Sequence, residues 1–331
     1  MHSMIWAVLI AFAASLAVGP VLIPILRKLK FGQNVYELGP QSHQKKQGTP
    51  TMGGWMICVV SVVVALAMHV GPWSAATDMV LAALLLALGN LGIGFADDMT
   101  KIRRKNNKGL SPRQKLVGQT VLAFLFAWYC YAHPEVGSSI HVPFLRTTWD
   151  LGWLYIPCAA FVVVATTNSA NLLDGLDGLL GSVSLVDFAA FALIATFAAE
   201  AAGGESQNLV NLAVMCCALA GACLGFLRFN VFPARMIMGD TGSMFLGGAL
   251  VAVALLLRQP LLLPLICFCL LMSSVSDIIQ ITYFKRTHGK RVFKMAPIHH
   301  HFELSGVPET KIVAMYTIVT LLLCLVSLLG V

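Results

Sequence analysis

Asn168-Ser-Ala-Asn171-Leu-Leu-Asp174-Gly-Leu-Asp177-Gly178 interrupts an apolar sequence. The run Leu154 to Thr167 precedes it and the run Leu179 to Ala199 follows. Asn168, Asn171 and Asp174 recur every third residue, which on a helix places them on one face. Gly175 lets the chain turn before Asp177. Carboxylates beside hydrocarbon are costly unless they meet water, a cation or a partner. A plain polar linker needs no regular spacing of Asn and Asp. The stretch therefore reads as one wall of a polar site at a membrane surface.

Composition supports a membrane setting. The 331 residues are 58% hydrophobic and 11% charged, against roughly 25% charged in a soluble domain. Runs long enough to span a bilayer recur along the chain. About ten spans are expected, at 4–26, 53–70, 78–97, 116–132, 154–168, 178–199, 208–227, 241–257, 261–284 and 311–330. The fold class is an all-α polytopic membrane protein, one integral membrane domain over 1–331. Further spans follow the first run, so no cleaved secretory signal is expected. The nine cysteines lie within or at the edge of apolar runs and read as small apolar filler without a disulfide framework.

Lys and Arg set the orientation. The loops at about 27–52, 98–115, 169–177, 228–240 and 285–310 alternate to one side. With Lys311 at the margin they carry all of the 22 Lys and Arg except Arg146 and Arg258. The positive-inside rule makes those loops cytoplasmic and both termini extracytoplasmic. The net charge of +7 thus gathers on one face, suited to lipid head groups or a phosphorylated substrate. The basic loops have little aromatic interleaving, which argues against nucleic acid. On the other side, 133–153 has the Gly, Ser and Pro content of a short hairpin.

Acids lie at the same depth as the basic loops. Asp97 and Asp98 close the third run, Asp174 and Asp177 lie between the fifth and sixth, and Asp240 opens the eighth in Met238-Gly-Asp-Thr-Gly242. Carboxylates among many Lys and Arg fit magnesium bound with a polyphosphate. Asp97 and Asp98 point about 100° apart on a helix, so one role cannot serve both. A plainer reading of Asp240 is an N-cap for the eighth helix. Gly48-Thr-Pro-Thr51-Met-Gly-Gly54 reads either as a turn or as a Lys46-led loop that approaches a phosphate closely. His299, His300 and His301 are consecutive. Adjacent residues converge poorly on zinc, and His beside a phosphate suits a charge stabiliser or proton donor. Asp277 and Gln280 share a face within the ninth run. Asp187, deep in the sixth, is as well explained by a structural role.

These motifs resemble the polyprenyl-phosphate N-acetylhexosamine-1-phosphate transferases over nearly the whole chain. The Asp97-Asp98 pair and Gly239-Asp240 are similar to features of the whole superfamily. Gly48 to Gly54 and Pro297-Ile-His-His-His-Phe-Glu303 resemble its muramoyl-pentapeptide branch. The resemblance implies transfer of the phospho-sugar of UDP-N-acetylmuramoyl-pentapeptide to undecaprenyl phosphate, with magnesium (Mg2+), in the bacterial plasma membrane. It assigns Asp240 to the metal, Asp97 and Asp98 to the essential pair, and His299 to the essential histidine. Asp97 is then the candidate base or lipid-phosphate partner. Lys46, Asn171, Asp174, Asp177, Asn230, Gln280 and His300 match positions lining the nucleotide cleft. Thr51, Lys101, Lys115, Asn168 and His301, in the same motifs and loops, complete the candidate substrate contacts. A homodimer is also implied. Ile237 departs from the pattern, because many relatives carry there an aromatic suited to stacking on uracil.

Two other readings compete. An N-acetylglucosamine-1-phosphate donor would keep the acids but does not match the triple-His string. A transporter would place polar groups near the midplane, whereas these acids crowd one face.

Overall fold

The computed structural model describes residues 2–29, 48–73, 77–104, 109–203 and 206–331. Helices α1 (His2–Lys28), α2 (Gly54–Ala67), α3 (Asp78–Arg104) and α4 (Pro112–Ala132) lead to a hairpin of β1 (Ser139–Val142) and β2 (Thr147–Asp150). After it come α5 (Tyr155–Leu173), α6 (Leu179–Ala201), α7 (Gln207–Asn230) and α8 (Gly239–Leu256). The chain ends with α9 (Leu263–Ile266), α10 (Phe268–Arg286), α11 (Ile298–Glu303) and α12 (Glu309–Leu328). Helix covers part of each of the ten apolar runs. Seven of the described helices are long and apolar enough to cross a membrane. The molecule is a polytopic helical membrane protein, and the hairpin is the one departure from all-α among the described residues.

The ninth run differs from the unbroken span expected over 261–284. Pro260–Ile266 and Phe268–Arg286 meet at a bend of 83°, an eighth crossing if the pair is one broken span. Pro260 and Pro264 each fall in the first turn of a short helix, where proline is tolerated. The backbone then leaves helical geometry at Cys267 (φ −91°, ψ 27°).

Helices also run past the charges that end the apolar runs. In α3, Lys101 Nζ lies 2.7 Å from Asp97 one turn earlier, and Lys101, Arg103 and Arg104 occupy the last turn, where cations complement the helix dipole. α4 starts behind a capping box. Gln114 N donates to Ser111 Oγ at 3.3 Å, and Ser111 N donates to Gln114 Oε1 at 2.9 Å. Helix runs through Arg104 and resumes at Pro112, so Asp98, Lys101 and Lys115, expected in a loop over 98–115, stand on helices.

α8 is the axis of the bundle. Every residue from Thr241 to Leu256 is buried, as befits a helix that is apolar all round. α3 and α5 make its largest packing faces, with α2 and α6 alongside. Small residues allow this closeness. A Cβ on Gly94 of α3 would lie 2.2 Å from Asp240 O, and one on Gly54 of α2 would lie 2.1 Å from Gly242 Cα. Lipid tails are as apolar as leucine, so such close packing, rather than water exclusion, holds spans together. The Gly94 contact fixes the C-terminal end of α3 against the first turn of α8.

At the opposite end, Asp78 Oδ2 and His133 Nε2 pair at 2.8 Å, and Asn211 bonds Val70 N and Val70 O at 2.7 and 2.9 Å. Arg258 Nε donates to Ser139 O at 3.0 Å, holding the hairpin down. The nine cysteines are free thiols, seven of them buried. Asp187 is buried in α6 with Cys324 Sγ 3.9 Å from its Oδ1, far along the helix from the acids described below.

Candidate active site

The site is built where α3 ends and α8 begins. Asp97 and Asp98 are both buried, and the helix turns them in different directions, as their spacing requires. Asp98 faces the N-terminus of α8. Its Oδ1 accepts Asp240 N at 3.2 Å, and its Oδ2 accepts Thr241 N at 2.9 Å and Thr241 Oγ1 at 2.7 Å. Those N–H groups have no partner within their own helix, and a carboxylate suits the positive end of the helix dipole. The cap of α8 is thus supplied by another helix. The N-cap reading of Asp240 is set aside: Asp240 lies inside the first turn, and the residue at the cap position, Met238, makes no side-chain bond.

Asp240 turns instead to two ammonium groups. Its Oδ2 lies 2.6 Å from Lys115 Nζ and 3.2 Å from Lys101 Nζ. Asp97 holds the same pair, with Lys101 Nζ 2.7 Å from Oδ2 and Lys115 Nζ 3.1 Å from Oδ1. Asp97 Oδ1 also accepts Leu110 N at 2.7 Å, which ties the residues just ahead of α4 to the site. Charge-assisted contacts of this length around the buried Asp97 and half-buried Asp240 are strong and directional. Three carboxylates against two ammonium groups leave one negative charge in excess.

Asp97, Asp98 and Asp240 also form the one group of potential metal ligands among the described residues. Each offers an oxygen, and the three lie within 4.8 Å of one another. The donors are all carboxylate oxygens, without Cys or His, which fits a hard cation such as magnesium better than zinc.

The last turns of α5 and the turn into α6 sit beside this cluster, and Asn171, expected in a loop over 169–177, stands on helix with Asn168. Asn171 Nδ2 donates to Ser243 Oγ at 2.9 Å, one turn into α8 from Asp240. Asn168 Nδ2 donates to Gln119 Oε1 of α4 at 2.9 Å. Asp174 takes the C-cap position of α5. Asp177 Oδ2 accepts Ala234 N at 3.0 Å, and Asp177 N donates to Glu309 Oε1 at the start of α12. Asn230 is committed at both ends of its amide, accepting Gly178 N at 3.0 Å and donating to Met236 O at 2.9 Å. In this arrangement Asn168, Asn171, Asp177 and Asn230 clamp helix ends and loops together.

The histidines diverge. His299 is fully buried against Gly175: a Cβ on that glycine would lie 2.4 Å from His299 Nε2 and 3.0 Å from His300 Nε2. His300 Nδ1 lies 3.1 Å from Glu303 Oε2. His301 turns back on its own loop, where Nδ1 accepts Lys294 N at 3.1 Å. Gly175 thus joins the histidine helix to the Asn168–Gly178 stretch, and Asn171 joins that stretch to α8.

Three further candidates are placed differently. Lys46 lies outside the described residues. Thr51 belongs to a segment pinned to the residues before α8, with Ile237 N donating to Pro50 O at 2.8 Å and Gly53 N to Ile237 O at 2.8 Å. The glycine-rich string therefore has a packing role at α8 whatever else it binds. Gln280 spends its amide on loop backbone, accepting Val292 N and Phe293 N and donating to Phe293 O, each at 3.0 Å. It shares a cavity of about 350 Å³ with Asp277, Lys285 and Arg291. The sequence reading missed Thr241, Ser243, Gln119 and Glu309. Thr241 and Ser243 stood beside Asp240 in the motif already singled out, and Gln119 is a polar amide inside an apolar run.

The comparisons place this arrangement. The family described as Glycosyl transferase family 4 matches residues 79–258, the span that holds Asp97, Asp98, Lys101, Lys115 and Asp240. Curated relatives match end to end. A phospho-N-acetylmuramoyl-pentapeptide-transferase of Clostridium kluyveri is 47% identical over 330 residues, 100% of both chains. One of Clostridium novyi is 46% identical over 100% of this chain and 97% of its own length. A third, of Clostridium perfringens, is 45% identical over 98% and 95%. The chain belongs to glycosyl transferase family 4, among the phospho-N-acetylmuramoyl-pentapeptide-transferases.

Proposed function

We propose that this chain transfers phospho-N-acetylmuramoyl-pentapeptide from its UDP-linked donor to undecaprenyl phosphate, giving lipid I and UMP in peptidoglycan synthesis. The observation that carries this reading is the cluster of buried Asp97 and Asp98 with half-buried Asp240, Lys101 and Lys115. It lies at the bundle end that bears the basic loops, in a chain that matches relatives of that name over its full length. One substrate is soluble and the other carries its phosphate at the bilayer surface, so a site at helix ends reaches both. Ten crossings with both termini outside, in the bacterial plasma membrane, put that end in the cytoplasm.

A phosphate oxygen of undecaprenyl phosphate attacks the sugar-linked phosphorus, and UMP leaves with the electrons of the broken bond. Such a transfer needs positioning and charge neutralisation more than covalent help. Asp97 takes the proton or orients the lipid phosphate. Lys101 and Lys115 hold phosphate oxygens, and His299 meets the charge that develops on the leaving group. Asp240 is the residue to hold magnesium, which when bound supplies positive charge to the diphosphate. Asp98 keeps α8 in place. The test is UMP release by the purified protein in vesicles, with undecaprenyl phosphate and either UDP-N-acetylmuramoyl-pentapeptide or UDP-N-acetylglucosamine. Magnesium-dependent release with the first donor is expected. Release with the second donor alone would overturn the reading.

A further inference from the structure

Asp240 Oδ2 is a contested atom. Lys115 Nζ lies 2.6 Å from it and Lys101 Nζ 3.2 Å, while a cation on Asp240 needs the same carboxylate. The two lysines are not equivalent. Lys101 stands on α3 one turn from Asp97, touches it at 2.7 Å and lies 3.8 Å from Asp98. It belongs to the carboxylate pair. Lys115 reaches over from α4, and among the described carboxylates its ammonium meets Asp97 and Asp240. The Asp97 oxygen it uses already accepts Leu110 N at 2.7 Å. Lys115 is therefore held mainly by Asp240, on a stem of four rotatable carbons that lets the ammonium move without moving the helix.

Charge makes the two occupants exclusive. Three carboxylates and two ammonium groups sum to one negative charge. A dication added with both lysines in place would leave a net positive charge in a half-buried cluster, with like charges a few ångströms apart. A nucleoside diphosphate changes this balance, because its oxygens offer Lys115 another anionic partner.

We propose that Lys115 and the divalent cation are alternative occupants of Asp240 Oδ2, and that a nucleoside diphosphate draws Lys115 away. Lys115 is then a positioning residue that couples metal binding to nucleotide binding. The cation is taken up tightly only with the diphosphate that it serves. This rests on the reading of Asp240 as the metal-holding residue.

The test uses full-length purified protein and manganese(II) as a spin-active stand-in, with free ion titrated by electron paramagnetic resonance. Four proteins are compared with and without UDP: wild type, Lys115→Gln, Lys115→Arg and Asp240→Asn. In wild type, UDP should tighten manganese binding by about tenfold, within the ordinary range of site-to-site coupling. Without UDP, Lys115→Gln should already bind manganese about tenfold more tightly than wild type, and UDP should add little. Lys115→Arg keeps the charge and should not tighten. Weaker or unchanged manganese binding in Lys115→Gln, with Lys115→Arg folded and like wild type, overturns the exchange. Asp240→Asn separates the two ideas: if it binds manganese as wild type does, the assignment of Asp240 fails first. Thermal unfolding of each variant confirms that the bundle is intact.

Discussion

Asp98 on α3 caps α8: its Oδ2 accepts both Thr241 N, at 2.9 Å, and Thr241 Oγ1, at 2.7 Å. A residue 143 positions earlier in the chain thus does what a helix usually does for itself. Removing it leaves buried N–H groups without an acceptor. Asp98→Ala should cost about 1–3 kcal/mol of stability, read as a lower midpoint of thermal unfolding in detergent. Asp98→Asn, which still accepts hydrogen bonds, should recover part of that loss. An unchanged midpoint in Asp98→Ala would remove the cap from the account of the fold.

Asp97 should behave otherwise. Its carboxylate faces Lys101, Lys115 and Leu110 N rather than a helix terminus. If it takes a proton or orients the lipid phosphate, Asp97→Asn should lower turnover by about 10²-fold or more in protein that still inserts and folds. Near-normal UMP release by this variant would end its assignment.

For Asp240 the structure sharpens the choice between cap and metal holder. The cap is supplied from α3, so Asp240→Asn should leave α8 and the unfolding midpoint close to wild type. Activity should fall by about 10²-fold or more, and raising magnesium should restore little. The check is UMP release across a magnesium titration, run beside thermal unfolding. Full activity with an unshifted magnesium dependence would return Asp240 to a structural role.

The histidines give a graded prediction. His299 is buried against Gly175, while His301 accepts a backbone N–H from its own loop. His299→Ala should lose far more turnover than His301→Ala, whose effect should appear mainly in stability, at about 1 kcal/mol for one hydrogen bond. Equal and mild losses of turnover at both positions would leave the loop as a surface feature.

The amino-acid sequence by itself determined the helical bundle and the gathering of its charge at one end. Long apolar runs must form helices in a bilayer, because no water is there to satisfy an open backbone. The clustering of Lys, Arg and Asp at alternate run ends marked one face without any fold in view. Sequence also determined that Asp97 and Asp98 diverge, and that consecutive histidines cannot all point one way, since both follow from helical geometry alone.

Only the tertiary structure decided what each side chain meets. The Gly94 contact sets α3 against α8, and that closeness puts Asp98 on the backbone of Asp240 and Thr241. No local pattern announces a cap that comes from another helix. The same holds for Lys115, a candidate substrate contact in sequence that α4 brings to Asp240, and for Asn230 and Gln280, whose amides close on nearby backbone. Periodicity records which way a residue leaves its own helix. The partner waiting there is fixed by packing between segments far apart in the chain, and in this protein that packing rests on where the small residues let helices touch.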